Sequence, residues 1–241
     1  MGVSSNAGIK MRPTTKMELF LLAALVLTVS LNAQGSFARK SSKPSAQLTA
    51  LERLEAEQRL SDLGYWTGPV DGKFNSDSTH ALIAFQKVER RSITGKLTLD
   101  ELTALRSASR PIPRYTGYAH VEIDLERQVL FVIDESGGVL RILPVSTGNE
   151  KPYMDHGQIH RAHTPTGKFK VLRKINGWRR SSLGLLYYPS YIVNGIAIHG
   201  SPSVPARPAS HGCIRVPMFA AAQLSSLMPV GLEVVIYNSR T

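Results

Sequence analysis

The chain has 241 residues, 42% hydrophobic and 20% charged. That composition excludes a collagen-like fibre, a wholly disordered chain and a polytopic membrane protein. Twenty-nine Lys and Arg against 18 Asp and Glu leave a formal net charge of +11, which favours anionic partners: nucleic acid, an acidic membrane surface or an acidic polymer. The single cysteine, Cys213, excludes an intramolecular disulfide.

The chain opens as a targeting segment. Lys10, Arg12 and Lys16 precede an apolar run from Leu19 to Leu31, which has signal-peptide length and is short for a membrane span. Small residues offer cleavage after Ala33, Gly35 or Ala38. Residues 1–38 therefore read as an export signal with an open cleavage site, and 39–46 as a flexible tether. The expected location is a periplasm or cell-wall compartment, with membrane anchoring if the signal is retained. A lone thiol there is either buried and inert or kept for reactivity.

Leu48, Leu51, Leu54, Leu60 and Leu63 recur at helical spacing, with Gly64 placed as a stop. A turn-rich stretch follows to Gly72. Ser76 to Val88 predicts a second helix with Ala81, Leu82, Phe85 and Val88 on one side. Thr98 to Glu101 reads as a capping box opening a third, with Leu99, Leu102 and Leu105 inward. The expectation for 47–106 is a three-helix bundle. Residues 107–117, with Pro111 and Pro113, read as an interdomain linker.

From 118 to 238 the period changes to two. Val121, Ile123 and Leu125 alternate with acids, Val129 to Ile133 is wholly apolar, and Gly137-Gly138 turns the chain into Val139 to Val145. Further strands are predicted over Lys168 to Arg173, Tyr191 to Val193, Ile196 to Ile198 and Val234 to Ile236, with a helix over Met218 to Leu227. Thr164 to Gly167 fits a type I turn. The fold class is an α+β multidomain chain: a small three-helix bundle, then a mainly-β sandwich or barrel-like domain.

The densest chemistry is His199-Gly200 followed by Ser210-His211-Gly212-Cys213-Ile214-Arg215. A thiol attacks only as thiolate and needs a base or a positive field. His211 lies two residues away, the same face if that stretch is a strand, and His199 would approach on a neighbouring strand. Gly212 lets the backbone turn so that its amide and that of Cys213 face a developing oxyanion. From His156 to Leu232 there is no Asp or Glu but nine Lys and Arg. The histidine must then be oriented by an earlier carboxylate or a backbone carbonyl, and the positive field should lower the thiol pKa. Arg215 is either a substrate contact or a structural partner. His156, His160 and His163 raise a zinc site, but the stretch reads as a loop without an acidic base, so no metal is expected.

Two resemblances follow from these residues. Gly64-Tyr65, Gly68-Pro69-Val70-Asp71-Gly72, Phe74, Thr79, Ala81, Phe85-Gln86 and Leu102 with Leu105 resemble the bacterial peptidoglycan-binding three-helix domain, with Asn75 where that family usually has glycine. His199-Gly200 and Ser210 to Arg215, with the Val121 to Ile133 hairpin, Ser146-Thr147-Gly148 and Thr164 to Phe169, resemble the L,D-transpeptidase catalytic domain. The resemblance implies a peptidoglycan L,D-transpeptidase using no metal or organic cofactor. Cys213 is then the nucleophile and His199 the proton donor and acceptor, oriented by a backbone carbonyl such as that of Gly200. His211 supports the site, and the Gly212 and Cys213 amides form the oxyanion hole. Ser210, Gly200 and Arg215 are carried as substrate-binding positions. Tyr187, Tyr188 and Tyr191 are each candidates for an added oxyanion donor. The histidines are closer in sequence than is usual for the family, and Arg215 stands where many members have Asn.

The expected partners are stem peptides and glycan, or a wall-linked protein as acceptor, and not nucleic acid. The oligomeric state is open. The reaction expected is transfer of a tetrapeptide acyl group to an amine with loss of terminal D-Ala. The alternatives are an L,D-carboxypeptidase using the same thioester and a non-catalytic murein-binding protein. Carbapenem capture by Cys213 is a further implication of the resemblance.

Overall fold

A computed structural model describes residues 47–239; the expected export signal and tether lie outside them. Three helices come first: α1 (Ala50–Asp62), α2 (Ser76–Val88) and α3 (Leu99–Ser107). Each begins on a side chain that accepts otherwise unpaired backbone amides. Thr49 and Glu52 cap α1 reciprocally, Asn75 caps α2, and the Thr98 hydroxyl accepts from the Glu101 amide at 3.2 Å. The reciprocal half of the box expected at α3 is absent, because the Glu101 carboxylate instead takes Arg91 Nε at 3.0 Å.

Leu60, Leu63, Leu102 and Leu105 are buried as expected, but Leu51, Leu54 and Leu99 face outward. The reason lies in Glu57, which is fully buried. Its carboxylate accepts the amides of Asp71 and Gly72 at 3.1 and 2.7 Å and the Ser78 hydroxyl at 2.6 Å. Closing the 68–72 turn on this carboxylate sets the rotation of α1 and leaves the Leu51–Leu54 flank open.

The rest of the described chain is two larger open sheets, a two-stranded hairpin and one helix, not a closed barrel. The first sheet runs β3-β2-β1-β12-β6, built from β1 (His120–Asp124), β2 (Val129–Ile133), β3 (Val139–Pro144), β6 (Gly167–Lys170) and β12 (Glu233–Tyr237). The second runs β11-β10-β9-β7, with β8 also on β9. Its strands are β7 (Arg173–Lys174), β8 (Trp178–Ser181), β9 (Gly184–Val193), β10 (Ile196–Ser201) and β11 (Ile214–Pro217), and α4 (Met218–Leu227) packs against it. The strand expected over Lys168 to Arg173 is divided between the sheets: Val171 donates to the Leu232 carbonyl and Leu172 to that of Tyr191.

The stretch read as a loop around His156 is a hairpin of β4 (Pro152–Asp155) and β5 (Gln158–Arg161). Its two-residue turn, His156-Gly157, has φ of 45° and 75°, the both-positive geometry that suits strand twist. No turn forms at Thr164 to Gly167. The chain there runs without regular structure into β6, because the Thr164 side chain is drawn inward to the site described below.

Strand β2 explains its own uninterrupted apolar sequence. Leu130 and Val132 face the core between the sheets, while Val129, Phe131 and Ile133 face the helices. With Val139 and Ile142, these residues form one cluster with Leu60, Leu82, Phe85, Leu102 and Leu105. A backbone bridge adds to it: Trp66 donates to the Ile142 carbonyl at 3.0 Å and Ile142 to that of Gly64 at 2.7 Å. The helices and the first sheet therefore share a hydrophobic core.

Strand β1 is buried on both faces, its acids included, against the alternation expected. Glu122 is held by the amides of Arg114 and Tyr115 at 2.9 and 2.7 Å, and Asp124 by Arg127 Nε at 2.6 Å. Residues 114–115 are thus fastened to the sheet, and these hydrogen bonds make the burial of the carboxylates tolerable.

Candidate active site

β10 and β11 run parallel, with Ile198 opposite Ile214 and His199 opposite Arg215. Ile198, Ile214 and Val216 belong to the core, so the alternate residues His199 and Arg215 share the opposite face. Cys213 directly precedes β11, and the Ala197 backbone on β10 hydrogen-bonds its thiol. On the far side of β10, Tyr191 pairs with Ala197, and Arg173 on β7 pairs with Tyr191. One row across the sheet thus carries Arg173, Tyr191, Ala197 and the nucleophile candidate. The Arg173 guanidinium lies 3.7 Å from the Tyr191 ring centroid. Tyr187 and Tyr188 instead pack against the core side, and Tyr188 sits at φ 48° beside the β9 irregularity.

His199 is buried, and its Nδ1 faces the Gly200 carbonyl at 2.9 Å. A carbonyl only accepts, so Nδ1 carries the proton and Nε2 is left as a base. Burial pushes the His199 pKa down to about 4, with the Arg215 charge adding to the fall and the Gly200 bond opposing it. Burial raises the Cys213 thiol, while the Ala197 hydrogen bond and Arg215 pull it back. The positive field expected to lower the thiol is present but is outweighed by desolvation. The resting pair is a neutral imidazole and a neutral thiol, and proton transfer must accompany attack.

The segment before β11 is held from within. Ser210 Oγ donates to the Cys213 carbonyl at 2.5 Å and accepts the Gly212 amide at 3.0 Å. The amides of Ala209 and Ser210 both donate to the Thr147 carbonyl at 2.9 Å. Buried Thr164 bridges, donating to the Gly212 carbonyl at 2.7 Å and accepting the Gly148 amide at 2.9 Å. Gly212 has φ 135°, and a Cβ there would meet the His163 carbonyl oxygen at 2.8 Å, so both backbone conformation and space require glycine.

The other expected positions fall as follows. Ser210, read as a substrate contact, is 2% exposed, with its hydroxyl occupied inside the loop. Gly200 is buried against Ala221 and Tyr187, its carbonyl turned to His199. His211 is not on a strand; its exposed ring lies 4.7 Å from that of Tyr153 on the β4–β5 hairpin. His163 and Arg161 share Glu150, and His160 stacks on Tyr153. Among the described residues no group of three His, Cys, Asp or Glu side chains is placed to hold a metal. Sequence reasoning missed the buttressing by Thr147 and Thr164. Both stand in motif segments, but nothing local shows that their side chains and carbonyls turn toward residues 209–212.

Residues 118–236 match the L,D-transpeptidase catalytic domain family, and residues 49–105 match the peptidoglycan binding domain family. Among solved structures, the L,D-transpeptidase (residues 123–326) from Xylanimonas cellulosilytica is 39% identical with a TM-score of 0.73, over 77% of this chain and 93% of that one. An L,D-transpeptidase from Stackebrandtia nassauensis aligns at 20% identity and TM-score 0.46, over 81% and 97% of the two chains. The catalytic domain of the E. faecium enzyme aligns at 22% and 0.40, over 51% and 99%. A comparison with curated protein sequences gives no match. Identity at this level across both the helical and the β-rich parts goes beyond a shared fold, and the chain belongs to the L,D-transpeptidase family, its catalytic domain preceded by a peptidoglycan-binding domain.

Proposed function

We propose that the protein is exported and acts as a cysteine acyltransferase on peptidoglycan stem peptides, with no metal or organic cofactor. A tetrapeptide stem enters along the face shared by Cys213, His199 and Arg215. His199 Nε2 takes the thiol proton as Sγ attacks the carbonyl at the L-centre of the diamino acid. The Cys213 and Gly212 amides meet the oxyanion, the latter leaving Ser210 Oγ. Such donors contribute about 3 kcal/mol each where water is excluded. The tetrahedral intermediate collapses, the peptide C–N bond breaks, and His199 returns the proton to the departing D-Ala amine. An amine of a second stem or of a wall-linked protein then attacks the thioester, losing its proton to His199 and releasing the thiol.

One observation carries this reading: the imidazole on β10 is register-paired beside the strand that follows Cys213, and its tautomer is set by the Gly200 carbonyl. The open groove of Leu51, Leu54, Glu55, Gln58, Arg59 and Val70 is the module's surface toward the wall.

Intact-protein mass spectrometry with a carbapenem tests the nucleophile. The wild type gains one adduct and Cys213→Ala none; equal adducts on both would refute the assignment. Products from purified disaccharide-tetrapeptides then define the acceptor. Cross-linked dimers mean transfer, and shortened monomers mean that water takes the thioester.

A further inference from the structure

Lys87, in the penultimate position of α2, is 3% exposed. Its ammonium donates to two neutral carbonyls, Gln128 at 2.9 Å and Val145 at 3.2 Å, both in the catalytic domain. Burial holds its pKa down at about 7. An ammonium withdrawn from water onto neutral acceptors is a poor source of stability, and an apolar side chain of the same volume would fill the site better. What the lysine grips is more informative. Gln128 sits at φ 55° where the chain enters β2, and Val145 donates back to its carbonyl at 2.9 Å. The Gln128 carboxamide is fully used: Nε2 donates to the Leu125 carbonyl at 2.7 Å and to Thr147 Oγ1 at 2.8 Å, and Oε1 accepts the Thr147 amide at 2.9 Å. The Thr147 carbonyl receives Ser210, and the Ser210 hydroxyl holds Gly212 and Cys213. Every link from the helical module to the nucleophile segment is a direct, buried or part-buried hydrogen bond.

We propose that Lys87 is a positioning residue for Cys213, through which the wall-binding module orients the nucleophile segment by way of Gln128, Thr147 and Ser210. The wall-binding module is then a working part of the catalytic site and not only an anchor. This rests on the acyl-enzyme reading above, and the test separates the two. The measured quantity is the rate of carbapenem acylation of Cys213 in the full-length protein, followed by mass spectrometry and paired with a thermal melt of each variant. Lys87→Met is expected to melt no lower than wild type at pH 7 and to acylate about tenfold more slowly. Gln128→Met, which removes both carboxamide bonds to Thr147 and so breaks the chain at its middle, is expected to lose a similar factor. The double variant should lose about tenfold as well, because both changes cut one chain, whereas independent effects would multiply to about a hundredfold.

Wild-type rates in either single variant, a hundredfold loss in the double variant, or a rate loss matched by a loss of folded protein would overturn the proposal. If Lys87→Met does not fold, the rate of Gln128→Met decides alone. A wild-type protein that takes no adduct at Cys213 would instead remove the acyl-enzyme reading beneath it.

Discussion

His199 and Arg215 stand opposite each other on adjacent parallel strands, and the guanidinium depresses the pKa of both the imidazole and the Cys213 thiol. The sequence left Arg215 open between substrate contact and structural partner; the structure gives it an electrostatic part. In Arg215→Met, loss of the cation makes the imidazolium easier to form, so the His199 pKa rises from about 4. The thiol loses stabilisation of its thiolate, so its pKa rises further. Both limbs of the pH profile for carbapenem acylation should therefore move to higher pH. A profile displaced downward, or unmoved with only its height changed, would refute this coupling.

Removing the imidazole should be more damaging. With the resting thiol neutral, His199→Ala leaves no base to accept its proton, and acylation should slow by at least about a hundredfold, the usual range for a general base. Single-turnover mass spectrometry reads this directly, since Cys213 is the only cysteine.

Gly212→Ala places a Cβ 2.8 Å from the His163 carbonyl oxygen on a backbone at φ 135°. Strain of this kind costs about 1–3 kcal/mol. The variant should show a lowered melting temperature together with slowed acylation, because relief of the clash moves the segment that carries the thiol.

The helical module depends on a carboxylate that helical periodicity does not reveal. Glu57→Ala strands the amides of Asp71 and Gly72 and the Ser78 hydroxyl inside the fold. Buried donors left unpaired cost about 1–3 kcal/mol each, partly relieved where water enters. A loss of several kcal/mol in urea denaturation is expected, and a change below about 1 kcal/mol would mean that the turn is held by something else.

A catalytic domain expressed without residues 47–106 should not behave as an independent soluble unit, since Val129, Phe131, Ile133, Val139 and Ile142 lose their covering helices. Size-exclusion chromatography should find it aggregated. In the full chain, Phe131→Ala should cost about 3–5 kcal/mol, as for a residue in a shared core.

Much of the architecture was legible because local rules act locally. The bounds of α2 and α4 follow from apolar spacing and capping residues, and the β2 run follows from its unbroken apolar sequence. The misreadings share a cause. Leu51, Leu54 and Leu99 keep helical spacing but face outward, and Glu57, Glu122 and Asp124 are charged but buried, because partners distant in sequence decide which face is covered. The β4–β5 hairpin did carry a local mark, a histidine-glycine pair between two short runs, but polar and exposed strands leave no apolar alternation to read.

By itself the sequence determined which residue types bear the chemistry: one thiol, histidines near it, a glycine before it, and a long stretch without acids. These are properties of composition and spacing. Only the tertiary structure decided how they act. Burial sets the charge state of His199 and Cys213, strand pairing puts Arg215 beside the imidazole, and the helical module becomes part of a common core. Desolvation, register and packing arise between segments far apart in the chain, so no window of sequence contains them.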